Sequence, residues 1–232
     1  MSLTDSTMRP KNIGARLERR EDPRLLTGQG AFADDHIVHG ALHLAFRRSD
    51  HGHAQIVDID TAAAAAMRGV FAVYTAADLE AFVEPVTATS RMRNYHPTPM
   101  YPLARGKVRY VGEPVVAVLA DNRYLAEDAL EHIEITYEPL ASVTEPELAA
   151  QPDAPLLHED AGTNVLVARE FVRGDAAAAM ATTALRVGGR FRFHRKAPVA
   201  LENRACVAEY DRGRRALTLT LSTQVPGIVR EL

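Results

Sequence analysis

The 232 residues carry 27 Lys and Arg against 30 Asp and Glu, a formal net charge of -3, so no global field favours nucleic acid or an anionic membrane. With 47% hydrophobic residues the chain can bury a substantial core unaided, and its single cysteine, Cys206, excludes an intrachain disulfide and a Cys-rich metal cage. No uninterrupted apolar run is long enough for a transmembrane segment, the first residues lack the apolar core of a signal peptide, and a reducing, cytoplasmic home is expected.

Residues 1–27 read as an N-terminal arm, polar and aperiodic through Asn12, then dense in arginine and interrupted by Pro23. Such a stretch suits a polar surface segment or an arm that docks on another domain or subunit. Gly28-Gln29-Gly30 lets the backbone turn tightly, but a phosphate loop would need a third glycine, a strand before it and a helix after it. Leu42, Leu44 and Phe46 alternate and predict a strand, with Ala54 to Ile59 as its expected neighbour across a polar connector. Asp60 or Thr61 is expected to open a short alanine-rich helix that Gly69 stops, and Val70 to Thr75 predicts another strand. His51 and His53, two apart in an extended segment, point the same way and could share a metal. No third ligand follows at a fixed spacing, so both read as surface or hydrogen-bonded side chains.

Between Phe82 and Arg105 four prolines break the pattern around Arg91, Arg93 and Tyr95. A loop this long is usually functional or packed by a partner, and so few basic and aromatic residues favour a partner contact over a nucleic-acid strand. The stretch from Val108 to Pro139 is the most legible. Val115 to Ala120 is an unbroken apolar run; Leu125, Ala129, Leu130 and Ile133 fall at helical spacings; Ile133, Ile135 and Tyr137 then alternate with polar residues. Strand, helix, strand is the prediction, with Asp121 or Asn122 capping the helix and Pro139 ending the second strand. Residues 146–162 are proline-rich and read as a connector. Asp175 can cap a helix over the alanines that follow it. Strands are expected at Leu185 to Val187 and at Arg190 to His194. Alternation in the second puts Phe191 and Phe193 toward a core and Arg190 and Arg192 toward solvent, which argues against a nucleic-acid surface built from these arginines with Arg195 and Lys196. Ala205 to Tyr210 and Ala216 to Ser222 flank a turn suited to Asp211 and Gly213. Pro226 and Gly227 then lead toward a helix for which few residues remain, so the chain reads as cut within a domain.

One series of short motifs runs the length of the chain: Arg20-Glu21-Asp22-Pro23-Arg24 with Gly28-Gln29-Gly30, Ala31-Phe32-Ala33-Asp34-Asp35, Arg48-Ser49 with His51-Gly52-His53-Ala54, Val111-Gly112-Glu113-Pro114-Val115, Ala200-Leu201-Glu202, Cys206-Val207-Ala208 and Thr223-Gln224-Val225-Pro226. In this order they resemble the large, molybdopterin-binding subunit of the molybdenum hydroxylases, the family of xanthine dehydrogenase, aldehyde oxidase and aerobic carbon monoxide dehydrogenase. The likeness is greatest to the carbon monoxide dehydrogenase-like bacterial branch. Asn203 and Asp50 stand where that family often has proline, departures that touch local backbone shape.

The resemblance implies an α+β fold: an a/b hammerhead domain over 28–145, a connector over 146–162 and the beginning of a molybdopterin-binding domain over 163–232. It places Gln224 where the family hydrogen-bonds an oxo ligand of the molybdenum, and makes Glu202 structural or close to an interface. Without it, Gln224 reads as a polar surface residue, although one between a strand and a Pro-Gly turn presents its amide from a fixed end. The implied chemistry is oxidation or hydroxylation of a substrate carbon with oxygen from water, a glutamate as general base, and electrons passing through the pterin to [2Fe-2S] and FAD on partner chains. The Gly-Gly-Phe-Gly stretch that normally follows Gln224, the later pterin loops and that glutamate are not among these residues. No residue here is therefore assigned as catalytic or as a metal ligand. The molybdenum cofactor is expected only in an assembly with the remainder of the subunit, an iron-sulfur subunit and a flavin subunit. Alone, the chain is expected to be silent, either one piece of a split enzyme or a scaffold that binds partners, and to self-associate through its half-built second domain.

Overall fold

The computed structural model describes residues 17–88, 90, 92, 94–197 and 199–231; Arg91, Arg93 and most of the N-terminal arm lie outside the described residues. In chain order the elements are α1 (Asp22–Leu26), β1 (His43–Arg48), β2 (Ala54–Asp60), α2 (Ala62–Ala65), β3 (Val70–Tyr74), α3 (Ala76–Leu79), β4 (Val86–Thr87), β5 (Pro99–Met100), β6 (Lys107–Val108), β7 (Pro114–Ala120), α4 (Arg123–Leu130), β8 (Glu134–Pro139), α5 (Pro146–Ala149), α6 (Ala176–Thr182), β9 (Cys206–Asp211), β10 (Ala216–Leu221) and α7 (Pro226–Glu231). They form two compact units, one from His39–Arg192 and a smaller one from Met1–Val38 with Phe193–Leu232.

The larger unit holds two three-stranded antiparallel sheets, ordered β1-β7-β3 and β6-β2-β8. Strand β7 is central because its sequence leaves no alternative. Val115, Val116, Val118 and Ala120 are fully buried, so neither face can meet water and both edges need a partner. β1 and β3 supply those edges, with Ala45 and Val73 both opposite Val118. β2 was expected beside β1, but it pairs with β8 and β6 instead. Alternation in β1 fixes which face is apolar; it says nothing about which edge will join, and the doubly buried β7 takes β1 for itself. The predicted strand-helix-strand unit is present, yet its two strands enter different sheets.

Helix α4 packs on β1, β7 and β3 and buries Ala126 and Ala129. Asn122 caps it: Oδ1 accepts the Leu125 amide at 3.0 Å. The Asp60 carboxylate receives the Ala62 amide at 2.9 Å where α2 begins. Gly69, past the end of α2, has φ +91, and a Cβ there would lie 2.7 Å from Leu125 Cδ1 on α4. Gly69→Ala is therefore expected to cost about 1–3 kcal/mol from the backbone conformation alone. Thermal melts should report a fall of several degrees; an unchanged melting temperature would mean the turn relaxes freely.

Helix α3 carries its start signal in Thr75 and Asp78. Asp78 Oδ2 accepts both the Thr75 amide and the Thr75 hydroxyl at 2.7 Å, a closed box at the helix start. The hydrogen bonds hold the Asp78 carboxyl below its ordinary pKa. The proline-rich loop folds back on itself through the β4–β5 pair, Val86 opposite Met100.

The strands expected at 185–187 and 190–194 do not form; these residues are coil. Phe191 and Phe193, expected in the core, are 84% and 93% exposed, while Arg190 and Arg192 pair with Glu147 and Glu145. Alternation sorts side chains only when a sheet gives a strand two faces, and no described strand pairs with this segment. In the smaller unit the β9–β10 hairpin follows prediction, Ala216 opposite Asp211. Asp211 Oδ1 accepts the Arg214 amide at 3.0 Å, but the left-handed residue of the turn is Arg215 (φ 53) and not Gly213. No helix of the described residues is long and apolar enough to cross a membrane.

Candidate functional site

Gln224 stands at the tip of a braced turn in the smaller unit. Beyond β10, the Ser222 amide donates to Ala205 O at 3.4 Å and its hydroxyl to Asn203 O at 3.3 Å, tying the strand end to the segment that enters β9. Thr223 Oγ1 then accepts the Val225 amide at 3.1 Å, bending the chain out of the strand, and α7 begins at Pro226. Gln224 is exposed, and its amide has no hydrogen-bond partner among the described residues. A neutral amide on a fixed backbone can donate to an oxygen of a bound group without adding charge. That chemistry fits a molybdenum cofactor as a hydrogen-bonding partner rather than as a metal ligand.

The same unit joins two further motifs. Glu202 Oε1 accepts the amide of buried Ala33 at 3.0 Å, and His36 Nε2 lies 3.4 Å from Glu209 Oε2. The Ala31-to-Asp35 stretch is itself locked by the Phe32 amide donating to Asp35 Oδ2 at 2.9 Å. Glu202 is thus a structural acceptor, one of the two roles that the resemblance left open.

In the larger unit the Arg48-Ser49 and Gly112-Glu113 motifs form one junction. The buried Ser49 amide donates to Glu113 O at 2.9 Å, the Gly112 amide returns to Ser49 O at 2.8 Å, and Arg48 reaches Gly112 O at 2.9 Å. The two histidines beside it are packing groups. His53 is buried with Nδ1 2.9 Å from Ala141 O, and the His51 ring lies 4.7 Å from that of Tyr137. Tyr137 has its hydroxyl pKa raised, chiefly by burial.

A polar cleft of about 320 Å³ opens between the 97–101 loop and residues 158–161, with Arg109, His158 and Glu159 on its wall. Lys107 is only 5% exposed and pairs with Glu159, whose carboxyl that hydrogen bond holds below its usual pKa. Arg109 Nε donates to Leu157 O at 3.1 Å. Burial, then the nearby Arg109 and Lys107 charges, push the His158 pKa down. No sequence signal announced this cluster, because its members are about 50 positions apart and share no period. The fold favours neutral His158, so that stabilisation is complete above the unfolded histidine value of about 6.5 and is lost as pH falls through the lower folded value. Glu159 acts in the same direction at lower pH, its contribution present above the unfolded carboxyl value and lost below the folded one. His158→Gln should therefore flatten the loss of thermal stability on acidification from about pH 7 to pH 5. Parallel curves for the two proteins would show that His158 contributes nothing.

Residues 27–141 match the family described as the aldehyde oxidase and xanthine dehydrogenase a/b hammerhead domain, and residues 157–232 match the molybdopterin cofactor-binding domain. The chain belongs to the molybdenum hydroxylase large-subunit family. The chain is 38% identical over 218 residues to the nicotine 6-hydroxylase large subunit of Paenarthrobacter nicotinovorans, covering 94% of the chain and 27% of the relative. It is 37% identical over 237 residues to the carbon monoxide dehydrogenase large chain of Afipia carboxidovorans, covering 95% and 28%. The crystal structure of quinoline 2-oxidoreductase from Pseudomonas putida superposes with a TM-score of 0.85 at 36% identity, covering 94% of this chain and 28% of that one. The chain therefore spans little more than a quarter of the length of these relatives. The α+β hammerhead fold and the start of a cofactor-binding domain are those that the motif series implied. Gln224 and Glu202 both fall in the span matched by the cofactor-binding family.

Proposed function

We propose that this chain supplies the hammerhead domain and one cofactor-facing side chain, Gln224, to a molybdenum-dependent hydroxylase or dehydrogenase. The enzyme oxidises a small organic substrate or carbon monoxide, with water as the oxygen source. The observation that carries the reading is the braced turn at 222–225, which offers an unpartnered amide within the span matched by the cofactor-binding family. The molybdenum cofactor, when bound, supplies the two-electron redox chemistry. This chain's own part is positional: Gln224 donates a hydrogen bond to an oxygen of the cofactor, and Ser222 and Thr223 hold its backbone still while it does so. The other working parts are the remainder of the large subunit, an iron-sulfur subunit and a flavin subunit, in a cytoplasm that keeps Cys206 reduced. Relatives named for nicotine, quinoline and carbon monoxide support this choice of substrate class.

The test is the metal content and associated chains of the protein purified from its native host. Stoichiometric molybdenum with a companion chain supports the reading; neither one sinks it. The exposed Leu185, Val187, Phe191 and Phe193 favour a second reading, a scaffold that docks partners without turnover. On either reading these side chains need cover. The chain alone should dimerise or aggregate in light scattering, and a monodisperse monomer would count against a docking role.

A further inference from the structure

We infer that Glu202 is a positioning residue for Gln224, acting through a relay of hydrogen bonds that begins at Ala33. Only the final step, from a fixed Gln224 to a bound cofactor, rests on the function proposed above.

The relay is confined to the smaller unit. Glu202 Oε1 accepts the amide of Ala33, 169 positions earlier in the chain, at 3.0 Å, and Ala33 is 6% exposed. A carboxylate makes a stronger bond here than a neutral acceptor would, because the donor is buried and has no water to fall back on. The residue after Glu202 offers its carbonyl to the Ser222 hydroxyl, and Ala205 O receives the Ser222 amide. Ser222 is the last fixed point before the Thr223–Val225 turn that carries Gln224. Asn203 and Arg204 are exposed coil and cannot hold their own position. Glu202 therefore anchors the strip on which Ser222 rests, and Ser222 anchors the turn. The His36–Glu209 contact ties the same two segments together farther along. It lies beyond the strip that Ser222 uses, so it cannot replace Glu202 at this end.

Hydrogen exchange on the 232-residue chain tests the relay. In Glu202→Ala the amides of 33–36 and those of 222–228 should both exchange about tenfold faster, as expected for loss of one charged hydrogen bond with no change in the larger unit. Glu202→Gln keeps a carbonyl acceptor but a neutral one, and should speed both segments less than Glu202→Ala does. Ser222→Ala cuts the relay downstream, so it should speed 222–228 and leave 33–36 protected. If Glu202→Ala frees 33–36 while 222–228 keeps its parent rates, Glu202 is a local clip and the inference is overturned. If Glu202→Ala does not fold, Ser222→Ala and Glu202→Gln still decide: slow exchange at 222–228 in Ser222→Ala overturns the relay. A molybdenum EPR signal unaltered by Gln224→Ala in the loaded assembly would instead remove the cofactor reading, and the exchange result would stand apart from it.

Discussion

Replacing Val118 by aspartate is expected to prevent the larger unit from folding. Val118 is fully buried at the centre of β7, between Ala45 on β1 and Val73 on β3. A carboxylate placed there has no cation or donor to meet it and no route to water. An unpaired buried charge costs several kcal/mol even after the structure relaxes, and a domain of this size has about 5–15 kcal/mol to lose. Protonation lowers that cost without supplying the missing hydrogen bonds. Val118→Ala is the control: it removes two methyl groups and should cost about 1–3 kcal/mol, leaving a folded chain with a lower urea midpoint. Near-UV circular dichroism and urea titration distinguish the two. A Val118→Asp chain with a parent-like midpoint would mean that β7 is not the buried central strand.

In an assembly loaded with its cofactor, Gln224→Ala is expected to lower turnover about 10²- to 10³-fold, the range for loss of one preorganised donor at a site of developing charge. Molybdenum content should stay near the parent level, because in the proposed role the side chain orients a ligand and does not hold the metal. The backbone brace at Ser222 and Thr223 is untouched by the substitution, so the loss would belong to the amide itself. Parent-like turnover with full metal loading would leave Gln224 as an exposed polar residue and no more.

The legible parts of the fold were those governed by local rules. The apolar run of β7, the helical spacing of α4 and the alternation of β8 each declared an element, and Asn122 and Asp175 cap where expected, Asp175 Oδ1 accepting the Ala178 amide at 2.8 Å. Partner choice was not legible. The pairing of β1 with β7 instead of β2 depends on competition among strands far apart in the chain, to which the period of any one strand is blind. The failure at Phe191 and Phe193 has the same root, since alternation has no meaning without a neighbouring strand. At the candidate site, composition and spacing alone would have passed over Gln224; the ordered motif series singled it out. That series allowed Glu202 a structural role but could not name its partner, because Ala33 offers only a backbone amide.

The division of β7 and β8 between two sheets also bears on the order of events at the ribosome. β1 and β2 leave the exit tunnel early, but their chief partners, β7 and β8, follow only about 75 residues later, a delay of roughly 4–15 s at ordinary elongation rates. Through that interval the nascent chain carries strands with nothing to pair against. Both sheets can then close almost together once Pro139 has emerged, so the long sequence separation of their strands exposes unpaired edges during synthesis for longer than a fold of local contacts would.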